Sequence, residues 1–279
     1  MSPFSASDAA VEGFRVLGHR WRVVAGWALF NLLGLIGACV LAAVLIGVAA
    51  VAAASSEAAG MAGGVLGAVV LVLAAFAVEV MIVGALYRML LREGPPGFLY
   101  LRLGPDELRI GATWLIVMAA FLLLVLAGVA AMSIARTAGG LWLGLLAALA
   151  VMAVIVWLGL RLSLAAPIAV AERRLGFVRS WRLTKGRGAA LLGMTALTLC
   201  LLALIVVVAY LALALISGAA TGWSDLGLLL RTDADAIAER PGFYVAQLVL
   251  QFLFAPILWV IGQTPLAAAY MALSGDDQA

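Results

Sequence analysis

The chain has 279 residues, 66% hydrophobic and only 11% charged, with a net charge of +3. That composition excludes a soluble globular domain with its own core, and the small net charge gives no reason to expect a nucleic-acid partner. The two cysteines, Cys39 and Cys200, both fall inside apolar runs, where neither a disulfide nor a metal site has ligand company.

Six apolar runs organise the chain, at residues 23–54, 61–87, 110–135, 141–170, 189–220 and 243–273. Each exceeds the roughly 20 residues a helix needs to cross hydrocarbon. Only Glu79 and Arg161 carry charge inside them. The expected fold is therefore all-α: one polytopic membrane domain over residues 1–279, with six transmembrane helices. An uncleaved first span is expected, because its run is far longer than the apolar core of a signal peptide.

Ahead of the first span, residues 8–22 place Val11, Phe14, Leu17 and Trp21 on one helical face and Arg15, His19 and Arg22 on another. That pattern suits an N-terminal helix over residues 1–22 lying in the headgroup plane. The loop at 55–60 is short, so spans 1 and 2 form a tight hairpin. After span 2 comes Gly94-Pro95-Pro96-Gly97 and then Phe98-Leu99-Tyr100-Leu101-Arg102-Leu103. Gly104-Pro105-Asp106-Glu107 reads as a helix start, with proline at its first position and acids in its first turn. A second short loop, 136–140, joins spans 3 and 4. The basic segment 172–187 repeats the amphipathic pattern: Leu175, Val178 and Trp181 oppose Arg179, Arg182 and Lys185, and Gly186 is placed to end the helix. The loop at 221–242 is acidic, with Asp225, Asp233, Asp235 and Glu239. Thr232 or Asp233 can cap a short helix there, and Pro241 separates it from span 6.

Fourteen of the 17 basic residues fall on one side of this six-span topology, leaving Arg136, Arg231 and Arg240 on the other. The positive-inside rule then places both termini in the cytoplasm, and the expected location is a bacterial inner membrane. The three segments ahead of spans 1, 3 and 5 look like one unit used three times. Phe14-Arg15 aligns with Trp181-Arg182, and the same register matches Arg20 to Arg187 and Gly26 to Gly193. The proposed unit is a helical hairpin preceded by an interfacial element.

The stretch Arg161-Leu-Ser-Leu-Ala-Ala-Pro167, then Glu172, then Ser180-Trp181-Arg182-Leu183-Thr184-Lys185-Gly186 resembles a known family. It is similar to the membrane domain of glycerophosphoryl diester phosphodiesterases and its stand-alone six-span bacterial relatives. The motif positions carried by the resemblance are Pro167, Glu172, Ser180, Trp181, Thr184 and Gly186. In the two-part members, hydrolysis belongs to an appended soluble barrel. Here six residues follow span 6, so that activity is not expected of this chain. Its one histidine, His19, stands apart from any carboxylate cluster, and no catalytic residue, metal site or cofactor is expected.

Glu79 lies nine residues before Arg88, about 13 Å inside the boundary that Arg88 marks. Arg161 and Gln263 occupy comparable levels in spans 4 and 6, so Glu79, Arg161 and Gln263 are expected to meet in one polar layer. That layer has two readings: an ion pair with an amide partner that fixes packing, or a site for a headgroup, ion or proton. Pro167, Pro256 and Pro265 interrupt the helical ladder, and the carbonyls they free either line a cavity or are covered by neighbours. The basic residues Arg15, Arg22, Arg179, Arg182, Lys185 and Arg187 are expected to face headgroups. The function expected is that of a non-enzymatic membrane protein engaging anionic lipid, or another membrane protein, through its basic face. The alternative is a lipid or small-molecule transporter or channel built around Glu79 and Arg161.

Overall fold

The computed structural model describes residues 5–53, 57–92, 97–221, 234–239 and 241–276. In hydrocarbon every backbone amide must be satisfied within the segment, and the apolar runs respond by forming long helices. In chain order these are α1 (Ala6–His19), α2 (Trp21–Ala53), α3 (Glu57–Leu91), α4 (Pro105–Leu162), α5 (Ala165–Ala171), α6 (Phe177–Leu183), α7 (Gly188–Thr221), α8 (Ala234–Glu239) and α9 (Pro241–Asp276). A single 3-10 turn, Phe98–Tyr100, precedes α4. No strand occurs among the described residues.

Six helical stretches are long and apolar enough to cross a membrane, and the chain is a multi-pass membrane protein. α4 supplies two of them, because Gly140 adopts φ +71° and divides its 58 residues into spans 3 and 4. Only glycine takes that left-handed conformation without strain, so one residue makes the turn between spans 3 and 4. Large apolar side chains along α4 and α7, among them Leu122, Leu126, Leu204 and Leu211, are exposed, a surface suited to acyl chains.

The chain divides into two compact units. One comprises Met1–Glu12, Glu79–Thr195 and Gln263–Ala279, the other Gly13–Val78 and Ala196–Gly262. The core of the first is built from Ala9 and Ala10 of α1, Ile168 of α5, Leu183 of α6, Leu191 and Met194 of α7, and Leu273 of α9.

In the second unit, small residues bring α2 and α3 together. A Cβ on Gly63 would lie 1.9 Å from that of Ala49, and one on Gly34 would lie 2.8 Å from Val78 Cγ2. One proline of α9 is answered here as well. Pro256 has no N–H for the carbonyl of Phe252, and Asn31 Nδ2 donates to that carbonyl at 2.7 Å. Pro265 likewise frees the carbonyl of Ile261. α1 passes over it at Gly13, where a Cβ would meet Ile261 Cα at 2.6 Å and the oxygen at 3.0 Å.

Two sequence expectations shift in detail. The N-terminal helix ends at His19 rather than Arg22, and Trp21 and Arg22 open α2 after a bend at Arg20. The His19 Nδ1–H donates to the Arg15 carbonyl at 2.9 Å, satisfying a last-turn acceptor. α1 also turns Ala9 and Ala10 into the protein core, so its small residues pack inward. The basic helix of segment 172–187, the fourth loop in chain order, spans seven residues, Phe177–Leu183, and Gly186 takes φ +79° just beyond it. Of the acidic loop, Asp225, Thr232 and Asp233 lie outside the described residues, while Asp235 and Glu239 belong to α8.

Candidate functional site at the arginine-rich end

The first unit gathers arginines from four chain segments. Arg88 and Arg92 sit one turn apart at the end of α3, and Asp106 and Glu107 occupy the first turn of α4. Carboxylates are favoured at that helix end, where the backbone N–H groups lack partners. Arg88 pairs with Glu107, and both are buried, with 6% and 3% of their side chains exposed. Arg88 also donates to the Tyr100 carbonyl, from Nε at 3.2 Å and from Nη2 at 2.6 Å. That oxygen belongs to a strained turn, since Leu99 and Tyr100 both have positive φ, 51° and 60°. The buried guanidinium holds the turn in a conformation that non-glycine residues avoid.

Asp106 binds Arg92 through both oxygens, at 2.7 and 3.3 Å, and Arg109 at 3.0 Å, with Arg102 at 3.5 Å. Arg92 also donates to the Val170 carbonyl at the end of α5, so the node ties α3, α4 and α5 together. Gly84 makes room for it: a Cβ there would lie 3.0 Å from Glu107 Oε1 and 3.5 Å from Arg88 Nη1.

The segment 161–186 forms a second polar cluster. Glu172 follows α5 and binds Arg174 Nε at 2.9 Å and Arg179 at 3.5 Å, while the Tyr270 hydroxyl donates to it at 3.4 Å. Pro167 is buried in α5, after the break at Ser163–Leu164 that its missing N–H permits. Ser180, fully buried, donates to the Arg161 carbonyl at 2.7 Å. That carbonyl is one of the last of α4, and the serine serves as its cap. Thr184 Oγ1 donates to the Ser180 carbonyl at 2.9 Å and closes α6.

The Arg161 guanidinium lies 5.8 Å from the Trp157 ring and 5.6 Å from the Trp181 ring. The two indoles meet edge to face, with centroids 5.1 Å apart. Arg161 Nη1 reaches Thr184 Oγ1 at 3.5 Å, a long contact. Trp157 and Trp181 are 50% and 39% exposed, and Val178 beside them is 67% exposed.

The expected layer of Glu79, Arg161 and Gln263 is not assembled. No ion pair or hydrogen bond involves Glu79 among the described residues, and it is half-buried on α3. Gln263 accepts a hydrogen bond from the Tyr87 hydroxyl at 2.8 Å. Arg161 is in the last turn of α4 rather than deep within a continuing helix, because α4 ends at Leu162. Of the residues expected to face headgroups, Arg15, Arg22, Arg182 and Lys185 are exposed, Arg179 is tied to Glu172, and Arg187 is half-buried. Arg22 lies 5.6 Å over the exposed ring of Trp21. The Arg88–Glu107 and Arg92–Asp106 pairs were not anticipated. Their signal was two arginines at i, i+4 ending one span and two adjacent acids opening the next. No group of three His, Cys, Asp or Glu residues placed to hold a metal occurs among the described residues.

Compared with known proteins, the chain matches no family model, no curated protein and no solved structure.

Proposed function

We propose that this is a non-enzymatic integral membrane protein whose basic end binds anionic lipid headgroups. The observation that carries the reading is the outward face of the fourth loop. There Arg182 and Lys185 are exposed beside exposed Leu175, Val178 and Trp181, while Ser180 and Leu183 anchor α6 inward. Cations next to apolar and indole side chains match the chemistry of the headgroup layer, where Trp belongs and Lys or Arg meet phosphate. The junction of α1 and α2 repeats the pattern, with Arg15 and Arg22 exposed beside Phe14 and Trp21. The resemblance read in the stretch from Arg161 to Gly186 implies, as an expectation from sequence alone, a membrane module without catalytic residues of its own. The basic end faces the cytoplasm of a bacterial inner membrane in this reading, and another membrane protein is the second class of partner it suits.

Basic residues near an anionic surface contribute about 1 kcal/mol each, so Arg182→Gln with Lys185→Gln is expected to weaken binding of phosphatidylglycerol up to about thirtyfold. Native mass spectrometry of the protein released from mild detergent reads the retained lipid. Retention equal to that of the parent protein would leave these residues as topology signals alone. A cysteine at Thr137 should label from outside intact cells, and labelling only after permeabilisation would reverse the orientation.

A further inference from the structure

We propose that Arg161, framed by Trp157 and Trp181, binds the phosphodiester of one anionic phospholipid; this deepens the headgroup reading above by giving it a discrete site. Arg161 is the only basic residue inside an apolar run. Yet among the described residues it has no carboxylate within ion-pair distance, and its polar contact is the long one to Thr184. The neighbouring arginines differ: Arg88, Arg92 and Arg179 each reach a carboxylate. A charge inside an apolar segment without a counter-ion is costly, and a lipid phosphate at the membrane boundary supplies one.

The surroundings fit that ligand. Two indoles hold the cation without neutralising it, through ring contacts at 5.8 and 5.6 Å. They leave its planar fork of donors available for two phosphate oxygens. The framework is also preset. Ser180 fastens α6 to the Arg161 carbonyl, so Trp181, the next residue, is placed relative to the guanidinium before any ligand arrives. The adjoining surface is apolar and open, with Val154 and Trp157 exposed on α4 and Val178 on α6. Acyl chains can lie along it. A soluble phosphate gains nothing from that surface, so a phospholipid is the ligand.

The test uses the full chain in detergent and phosphatidylglycerol with brominated acyl chains, which quench nearby tryptophan. Subtracting the signal of a Trp157→Phe, Trp181→Phe variant isolates the two reporters from the chain's other tryptophans. The parent protein should show saturable quenching that survives salt of about 0.5 M, where surface attraction is screened. Arg161→Gln should bind at least about tenfold more weakly, and Arg161→Lys should fall between, because lysine keeps the charge but loses the fork. Arg182→Gln with Lys185→Gln should retain the salt-resistant component. Parent-like affinity in Arg161→Gln overturns the site. If that variant does not fold, parent-like affinity in Arg161→Lys overturns it. Equal displacement by millimolar glycerol 3-phosphate or inorganic phosphate also overturns it, since the lipid tail would then contribute nothing. Loss of binding only in the Arg182, Lys185 variant removes the Arg161 site and leaves the general headgroup reading standing. Parent-like binding in every variant removes both.

Discussion

Replacing Arg88 with methionine tests whether the α3–α4 node holds the first unit together. The substitution leaves Glu107, 3% exposed, as a buried carboxylate whose second oxygen, Oε2, already has no hydrogen-bond partner. Removing one member of a buried pair typically destabilises by about 3–5 kcal/mol, because the survivor keeps its desolvation penalty. The Tyr100 carbonyl loses both of its arginine donors as well, worth about 1–3 kcal/mol if it stays buried. Glu107→Leu strands Arg88 instead, with a loss of similar size. The double variant removes both charges and should lose less than the sum by about 2–3 kcal/mol. Reversible unfolding in mixed micelles, followed through near-ultraviolet circular dichroism, gives the four free energies of the cycle. Losses that add to within about 0.5 kcal/mol would show the two side chains to be energetically independent, and the node would not be a structural element.

Two further predictions concern the backbone. Asn31→Leu should destabilise by about 1–3 kcal/mol in the same unfolding assay, because the Phe252 carbonyl loses its donor. In a Pro256→Ala background, which restores the helical N–H, the Asn31 loss should shrink to a few tenths of that; an unchanged loss would refute the pairing of asparagine with proline. Gly84→Ala should lower the melting temperature, since its Cβ would sit 3.0 Å from Glu107 Oε1, whereas Gly193→Ala, with open space around it, should not; equal effects would remove the close approach from the account.

The six spans were legible because hydrocarbon leaves the backbone few options, and run length alone then sets the helices. Pro105 at a helix start and Gly186 after α6 were legible for the same reason: each has one favoured place in local geometry. The polar layer was not legible. Counting residues along a helix gives depth but not rotation, and a residue on a long helix turns 100° per step. Gln263 thus faces Tyr87, and Arg161 faces two indoles. The break before α5 also places Arg161 at a helix end, which a continuous apolar run of letters hides. Arg88 and Arg92 were read as topology signals because composition does not distinguish an arginine that meets lipid from one that meets Asp106 or Glu107. Asn31 and Pro256 lie 225 positions apart, and local pattern carries no trace of the bond by which Asn31 fills the acceptor that Pro256 leaves open at Phe252.

The node has a consequence for how the protein is made. A ribosome delivers Arg88 nineteen residues before Glu107, so α3 is complete while the anion that matches its end is still unsynthesised. Until the first turn of α4 appears, that arginine has the Tyr100 carbonyl within reach but not the carboxylate it pairs with in the finished fold. Glu107 then supplies the counter-ion to the same guanidinium that holds the strained turn at Leu99 and Tyr100. The end of the second crossing is therefore paired only once the third has begun, and a nascent chain stalled between them would carry Arg88 without its carboxylate.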